Sequence, residues 1–495
     1  MYLLGYDIGS SSIKAALVDA ESGKAVQVVQ YPEIEMEIVA HQVGWAEQDP
    51  EIWWENLCQA TKILLHKTQV SPAAIKSIGI SYQMHGLVLV DQNQAVLRPS
   101  IIWCDSRAVE IGQKAFTDLG PEQCLTHLLN SPGNFTASKL KWVKDNELDI
   151  YNRIHKILLP GDYIAMKLTG EASTTISGLS EGVFWDFKKN QVAPFLLDYY
   201  GISKDLLPPI KDTFSVQGTV TRLAAKSTGL AEGTPVSYRA GDQPNNALSL
   251  GVINPNEVAA TGGTSGVVYG VVDQLLYDKQ SRINGFAHVN HRPEKPRLGL
   301  LLCINGAGIQ YAWLKKHIAQ SDISYQDMEH MVSTIPIGAE GLRVIPFGNG
   351  AERMVANRNT GAQINNLQFN RHGQAHFFRA ALEGVAFSFV YGFQVLKELG
   401  LHPSVIKVGN DNLFQSTVFS STISNLLDCS IEVVKTTGAE GAAKASGIAP
   451  GIYNDLAEAV KNNELEERYH PGDHKDQYAL AYQAWVNDLN RLIDI

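Results

Sequence analysis

Residues 2–19 read YLLGYDIGSSSIKAALVD. The apolar run over 2–6 predicts a strand, the polar stretch Gly9, Ser10, Ser11 and Ser12 a turn, and the β-rich run over 13–18 a second strand. A turn at Glu21-Ser-Gly23 and a third apolar run over 25–29 follow. The chain therefore opens on a meander of short strands, not on a βαβ unit. Asp7 stands at the end of the first strand. Gly9 lets backbone N–H groups come close to phosphate oxygens, and the serine hydroxyls add donors. The turn suits a nucleotide phosphate, and Asp7 suits a hydrated Mg²⁺. An ordinary hairpin turn is the competing reading.

The same unit returns later. A strand over 257–261, the turn Gly262-Gly263-Thr264-Ser265-Gly266 and a strand over 267–272 repeat the type of the opening, though not its letters. Two such units suggest two related halves, 1–250 and 251–495, with ligands in the cleft between them. Between the units, strands and helices alternate, which predicts α/β layers. A helix over 50–66 starts after Asp49, a good N-cap, with Pro50 at its first position. A buried strand over 75–81 ends at Gln83-Met84-His85-Gly86. The stretch Leu158 to Tyr163 precedes a helix. A strand over 235–239 ends at Ala240-Gly241-Asp242, and a helix over 245–250 follows.

Composition narrows the function classes. The chain has 495 residues, enough for roughly two to four domains, with 44% hydrophobic residues and a net charge of −10. That acidity, with an isoelectric point near 5.8, argues against nucleic acid or an anionic membrane as partner, since both favour a basic face. No apolar stretch approaches the ~20 residues of a membrane span. Cys58, Cys104, Cys124, Cys303 and Cys429 are scattered and odd in number. They suggest neither a zinc ribbon nor a disulfide framework. The N-terminus lacks the basic flank and long apolar region of a secretory signal. A cytoplasmic location is expected.

Two further groups could carry chemistry. Asp242 follows a strand and precedes a helix, where a carboxylate can take a proton from a substrate hydroxyl; a helix N-cap is the alternative. Met84 and His85, with Trp103 and Asp105, mix hydrogen-bonding and flat apolar groups, as a sugar or polyol pocket does. His288 and His291 lack the context of a metal pair. The sequence holds no G-x-x-x-x-G-K-[ST] loop, no G-x-G-x-x-G after a strand and no G-x-S-x-G elbow.

In this order and spacing the motifs resemble the FGGY carbohydrate kinases, over nearly the whole chain from Asp7 to about Gly447. The stretches that carry the resemblance are GYDIGSSSIK, GWAEQDPEIWW, QMHG, RPSIIWCDSR, FTASKLKWV, LLPGDYIAMKLTGE, AGDQ and GGTSG. The resemblance implies an actin/Hsp70-like α/β fold of two ribonuclease H-like domains flanking a deep cleft. Residues 1–250 would hold the sugar and the first phosphate turn, and 251–495 the nucleotide. It implies transfer of the ATP γ-phosphate to a sugar hydroxyl, with Mg²⁺. The Met-His pair, where glycerol kinases carry Arg-Glu, points to D-xylulose and so to D-xylulose 5-phosphate. Asp242 matches the general base and Asp7 the N-terminal carboxylate, holding Mg²⁺ through water. Met84, His85, Trp103, Asp105, Asp242 and Gln243 would contact the sugar. Gly9, Ser10, Ser11, Ser12, Lys14, Gly263, Thr264, Ser265, Trp313, Gly409 and Asn410 would contact ATP.

Three positions depart from the family's pattern. The adenosine loop, usually three glycines, reads Val408-Gly409-Asn410-Asp411-Asn412, which bears on nucleotide affinity and base preference. Gln243 stands where Asn is common, and Asn134 where Gly or an aromatic is usual. A kinase for ribulose, glycerol or gluconate is the alternative within the class, and a nucleotide-binding switch protein the alternative outside it. The expected partners are the sugar and ATP, with no nucleic acid and no membrane; a homodimer is one assembly left open.

Overall fold

The computed structural model describes residues 1–319 and 323–493. Strands β1 (Tyr2–Ile8), β2 (Ile13–Asp19) and β3 (Ala25–Tyr31) form the antiparallel meander expected from the opening sequence. Helix α1 (Pro50–Thr68) returns the chain to β4 (Ile75–Tyr82), parallel to β1. Asp49 caps α1 by accepting the Glu51 N–H at 2.9 Å. The helix lies on the sheet because Trp53, Leu57, Ala60 and Leu64 repeat on one face and are all buried. Each large apolar side chain buried there contributes roughly 1.5–3 kcal/mol.

Helices α2 (Thr136–Asn146), α3 (Pro160–Thr169) and α4 (Ile176–Glu181) lead to β5 (Gly218–Thr219) and β6 (Pro235–Gly241). The first sheet has the order β5-β6-β4-β1-β2-β3. Helix α5 (Asp242–Ser249) then carries the chain to a second sheet, built from β7 (Val258–Gly262), β8 (Gly266–Val272), β9 (Asn284–Ala287) and β10 (Leu298–Ile304). Helices α6 (Gly308–His317) and α7 (Gln374–Glu398) precede β11 (Val405–Gly409), β12 (Ser430–Lys435), helix α8 (Gly438–Ser446) and β13 (Glu464–Tyr469). The second sheet runs β9-β10-β8-β7-β11-β12-β13.

The two sheets share one plan. In each, an antiparallel three-strand meander (β1-β2-β3, β7-β8-β10) is joined at its first strand by two further parallel strands (β4 and β6, β11 and β12). This duplicated α/β unit agrees with the actin/Hsp70-like arrangement expected from the sequence. The halves interlock. Helix α8 belongs to the second half but lies on β1 and β4 of the first. Glycines make that close approach possible: a Cβ at Gly5 would fall 1.9 Å from the Ala439 carbonyl oxygen, and one at Gly79 1.9 Å from that of Ala442. Helix α5 in turn packs against α8, and the edge strand β9 touches α4.

Two helix starts differ from the sequence reading. Helix α5 begins at Asp242, three residues before the expected position, with Gly241 as N-cap. Pro244 does not delay it, because the first turn of a helix leaves its N–H groups without intrahelical partners. Helix α3 likewise begins at Pro160, inside the stretch read as preceding it. Pro fixes φ near the helical value and costs no hydrogen bond at a first position.

Candidate active site

The first sheet ends its central strands at two carboxylates. Asp7 lies opposite Lys14 across the β1–β2 ladder and beside Ser81 on β4. The Ser81 hydroxyl donates to Asp7 Oδ1 at 2.9 Å. Asp7 Oδ2 points at the start of α8, 2.9 Å from where a Cβ on Gly438 would stand, and Asn246 Oδ1 meets the same point at 2.9 Å. A carboxylate at a helix N-terminus is favoured by the helix dipole. Burial nevertheless pushes the Asp7 carboxyl up, against the opposing pulls of Ser81 and Lys14.

Asp242 is the first residue of α5 and does not cap it. Burial, and next the charge of Asp7, push its carboxyl up to about 7, while hydrogen bonds from Gln243 pull it down. A base is most useful when its pKa lies near the working pH.

Met84 and His85 follow β4. Met84 is buried and packs on Gly241, its Cγ 2.5 Å from where a Cβ there would stand. His85 has φ 64°, the left-handed region that non-glycine residues seldom occupy. Two contacts hold it there. Lys139 of α2 donates from Nζ to the His85 carbonyl at 2.9 Å and to that of Ile102 at 2.8 Å. The ring Nδ1 lies 2.8 Å from the Glu181 carbonyl oxygen. A carbonyl only accepts, so Nδ1 carries the hydrogen. Burial pulls the ring's pKa down to about 3, so it stays neutral. Its Nε2 is thereby left as an acceptor. Phe135 and Phe286 bracket the ring at 4.8 and 5.4 Å between centroids.

Lys139 and Glu181 were not singled out by the sequence reading. Burial pulls the Lys139 ammonium down to about 7. Glu181 is 2% exposed. Burial pushes its carboxyl well above the usual range, helped by Asp242 and Asp162 and opposed by Tyr82. The sequence signal for Glu181 was a lone charge in a short helix of apolar and small residues; Lys139, one of three lysines in α2, carried no such signal.

Trp103 is half-exposed and donates from Nε1 to the Ser10 hydroxyl at 3.4 Å, tying its loop to the first turn. Asp105, expected to face sugar, is buried. It binds Arg107 through both oxygens, at 2.7–3.0 Å, and accepts the Ala46 N–H at 2.6 Å. Arg107 in turn stacks on Trp45, its guanidinium carbon 3.8 Å from the ring centroid. Asp105 thus holds the Trp103 loop in place rather than offering a free carboxylate to the cleft.

A cavity of about 150 Å³ opens between the sheets. Asp7, Lys14 and Gln243 line one side, and Thr261, Val267 and Tyr269 the other. Gly409, Asp411, Asn412 and the Thr436-Thr437-Gly438 stretch close it. The first turn is braced by its own backbone: Gly9 N–H donates to the Ser12 carbonyl at 3.1 Å and Met36 N–H to that of Ser11 at 2.8 Å. Ser12 is buried, while Ser11 is exposed. In the second turn the Gly263 and Thr264 carbonyls accept the Gly308 and Ile309 N–H groups at 2.9 and 3.0 Å, which seats α6 on the turn. Thr264 is exposed and Ser265 half-buried.

Of the expected nucleotide contacts, Lys14 and Gly409 belong to that lining, while both hydroxyl-bearing turns, Trp313 and Asn410 lie outside it. Trp313 is half-exposed on α6, its ring 5.5 Å from that of His317. Asn410 gives its carbonyl to the Gln415 side chain, while its neighbours Gly409 and Asp411 reach the cavity. The substituted glycine loop needs no left-handed backbone at Asn410, Asp411 or Asn412. Asn412 Oδ1 accepts from the Gly262 and Phe414 N–H groups at 3.3 and 3.1 Å. A side chain therefore joins this loop to the second turn. The Thr436-Thr437-Gly438 stretch was overlooked although it, too, is a polar turn after a strand. His288, the other tempting ligand, hydrogen-bonds the Tyr269 hydroxyl at 3.1 Å.

Residues 2–249 match the N-terminal domain of the FGGY family of carbohydrate kinases, and residues 258–449 match its C-terminal domain. The chain belongs to this family. As a family member it is a carbohydrate kinase, and the two matched domains correspond to the two sheets described above. The chain is 27% identical to a xylulose kinase of Bacillus subtilis (strain 168), covering 100% of this chain and 98% of the relative. It is 29% identical to a xylulose kinase of Escherichia coli (strain K12), covering 99% and 98%. The crystal structure of xylulose kinase from Rhodospirillum rubrum superposes with a TM-score of 0.89 at 25% identity, covering 100% of both chains. Among the described residues, no helix of this kinase is long and apolar enough to cross a membrane.

Proposed function

We propose that this kinase transfers the γ-phosphate of ATP to D-xylulose, giving D-xylulose 5-phosphate. The observation that carries the reading is the placement of Asp242. A carboxylate with its pKa near 7 stands between the Met84–His85 pocket and the Asp7 cavity. Full-length likeness to xylulose kinases supports the choice of sugar.

In this reading D-xylulose lies against Met84 and His85, with one hydroxyl donating to His85 Nε2. Asp242 accepts the proton of the terminal hydroxyl as its oxygen attacks the γ-phosphorus. The bond from that phosphorus to the bridging oxygen breaks, and ADP leaves. The protein's contribution is positioning and charge stabilisation, since phosphoryl transfer needs little covalent help. Lys14 and the two hydroxyl-bearing turns, Gly9–Ser12 and Gly263–Ser265, face the phosphates. Gln243 orients the sugar beside Asp242. Asp105 acts on the sugar only through the Trp103 loop. Gly409 lies along the adenosine, with Asn410 and Trp313 at the margin of its site.

Asp7 fits Mg²⁺ held through water: one of its oxygens is engaged by Ser81, and the other points to the cleft beside Asn246. Oxygen donors of this kind suit a hard cation that keeps several waters. Bound there with ATP, Mg²⁺ would neutralise phosphate charge. Closure of the two halves would exclude water, so that the γ-phosphate meets sugar and not solvent. The five cysteines are all unpaired, which fits a reducing cytoplasm.

The test is coupled ADP release over D-xylulose, ribulose, glycerol and gluconate. D-xylulose is expected to have the highest kcat/KM. A tenfold preference for any other acceptor would overturn the sugar assignment and leave the kinase class intact.

A further inference from the structure

The second half of the chain sends one cation toward the sugar pocket, and nothing derived so far uses it. Arg353 sits on a short helical turn, Arg353–Val355, that follows Glu352. Glu352 is fully buried and accepts the Asn305 and Gly306 N–H groups at 3.1 and 2.8 Å. The turn is thereby fixed to the end of β10. Arg353 Nη1 donates to Asn284 Oδ1 on the edge strand β9. Asn284 in turn donates from Nδ2 to Asn130 Oδ1 of the first half at 2.7 Å.

This tether puts the guanidinium beside the Met84–His85 pocket. Asn284 and Phe286 are two residues apart on β9, and residues at that spacing share a face of a strand. The Phe286 ring stands 5.4 Å from the His85 ring. The Arg353 charge reaches His85, where it helps to keep the imidazole neutral. It also reaches the Cys303 thiol, which feels Asp242 as well. The charges of Arg353 and Asp242 therefore both reach Cys303, at the end of β10.

Arg353 is under-used there. Among the described residues no carboxylate pairs with it, and the one hydrogen bond of its guanidinium is to Asn284. A guanidinium carries five N–H donors in a planar fork. Burial without a counter-ion pulls its pKa down, yet the group stays in place. Half-buried cations without a partner are costly, so a ligand that supplies oxygen acceptors relieves the cost.

We infer that Arg353 is a sugar ligand contributed by the second half, its free N–H groups donating to oxygens of the acceptor held at Met84 and His85. The inference rests on the reading of that pocket as the sugar site. It makes the sugar site bipartite: His85 accepts from a hydroxyl on one side, and Arg353 donates to a carbonyl or hydroxyl oxygen on the other. A sugar bound this way draws the two halves together before ATP completes the site.

The experiment is calorimetric titration of D-xylulose, without nucleotide, into the full-length wild type, Arg353→Gln, Arg353→Lys and Asn284→Ala, with ATP titrated separately. Arg353→Gln is expected to weaken D-xylulose at least tenfold and to change ATP affinity less than twofold. Arg353→Lys should recover part of the loss, and Asn284→Ala, which removes only the tether, should weaken the sugar by a smaller factor. Unchanged D-xylulose affinity in Arg353→Gln would overturn the inference. So would a fall in kcat with unchanged sugar affinity, which would put the guanidinium on the transferring phosphoryl group. Should Arg353→Gln fail to fold, Arg353→Lys and Asn284→Ala decide: wild-type sugar affinity in both overturns the inference. Failure of the wild type to bind D-xylulose, with binding of another acceptor, would overturn the sugar assignment instead. Arg353 is then judged by the same variants on that acceptor.

Discussion

As the proposed base, Asp242 gives the pH dependence of this kinase a specific shape. A base must be ionised before it can accept a proton. With its pKa at about 7, roughly 3% of Asp242 is ionised at pH 5.5 and roughly 97% at pH 8.5. The kcat/KM for the sugar should therefore rise about thirty-fold over that range and level off above it. An Asp at its ordinary value of about 3.9 would be ionised throughout and give no such rise. The second cause of the shift is the charge of Asp7. Asp7→Asn removes that charge and should move the acid limb to lower pH, whatever it does to the plateau. The assay is coupled ADP release at saturating ATP, with the coupling enzymes in excess at each pH. A flat profile from pH 5.5 to 8.5 would refute the reasoning. A limb that stays in place in Asp7→Asn would refute the assignment of its cause.

Other outcomes follow from the same geometry. The Asp242 pKa is higher folded than unfolded, so the wild type binds more protons when folded between about pH 4 and 7 and loses stability as pH rises through that window. Asp242→Asn should therefore melt above the wild type at pH 8, with the gap closing below pH 4; thermal scans at the two pH values check this. Gly79→Ala would set a Cβ 1.9 Å from the Ala442 carbonyl oxygen. It should destabilise the protein by about 1–3 kcal/mol or more in urea, as overpacking does. Asn412→Ala removes the link to the Gly262 N–H and should raise the KM for ATP several-fold while leaving that for sugar in place, read in the same ADP assay.

Much of the fold was legible because its signals are local. Two strand–polar turn–strand units stand near residues 9 and 264, and each became the hairpin of a sheet's meander. The capped start of α1 was also a local signal. Helix α5 began earlier than read because Pro244 looks like a breaker but stands in the one turn that tolerates it. Asp7, Lys14, Gln243 and Gly409 come together at one cavity, and Met84 packs on Gly241, next to Asp242. Lys139, Glu181 and Arg353 were not legible. Each acts through contacts made across more than fifty residues, which no spacing records. Asp105 shows the converse: its motif marks it as polar and near the site, but only the fold reveals that Arg107 occupies it.

The central claim is that Asp242 takes the proton of the sugar hydroxyl. The measurement that tests it most directly compares wild type and Asp242→Asn by steady-state turnover of D-xylulose, with ATP binding titrated by calorimetry on the same preparations. Asn keeps the shape and loses the base, so kcat should fall about 10²–10⁴-fold, while ATP affinity stays within about threefold. Turnover within tenfold of the wild type would contradict the claim and leave Asp242 a structural residue at the head of its helix.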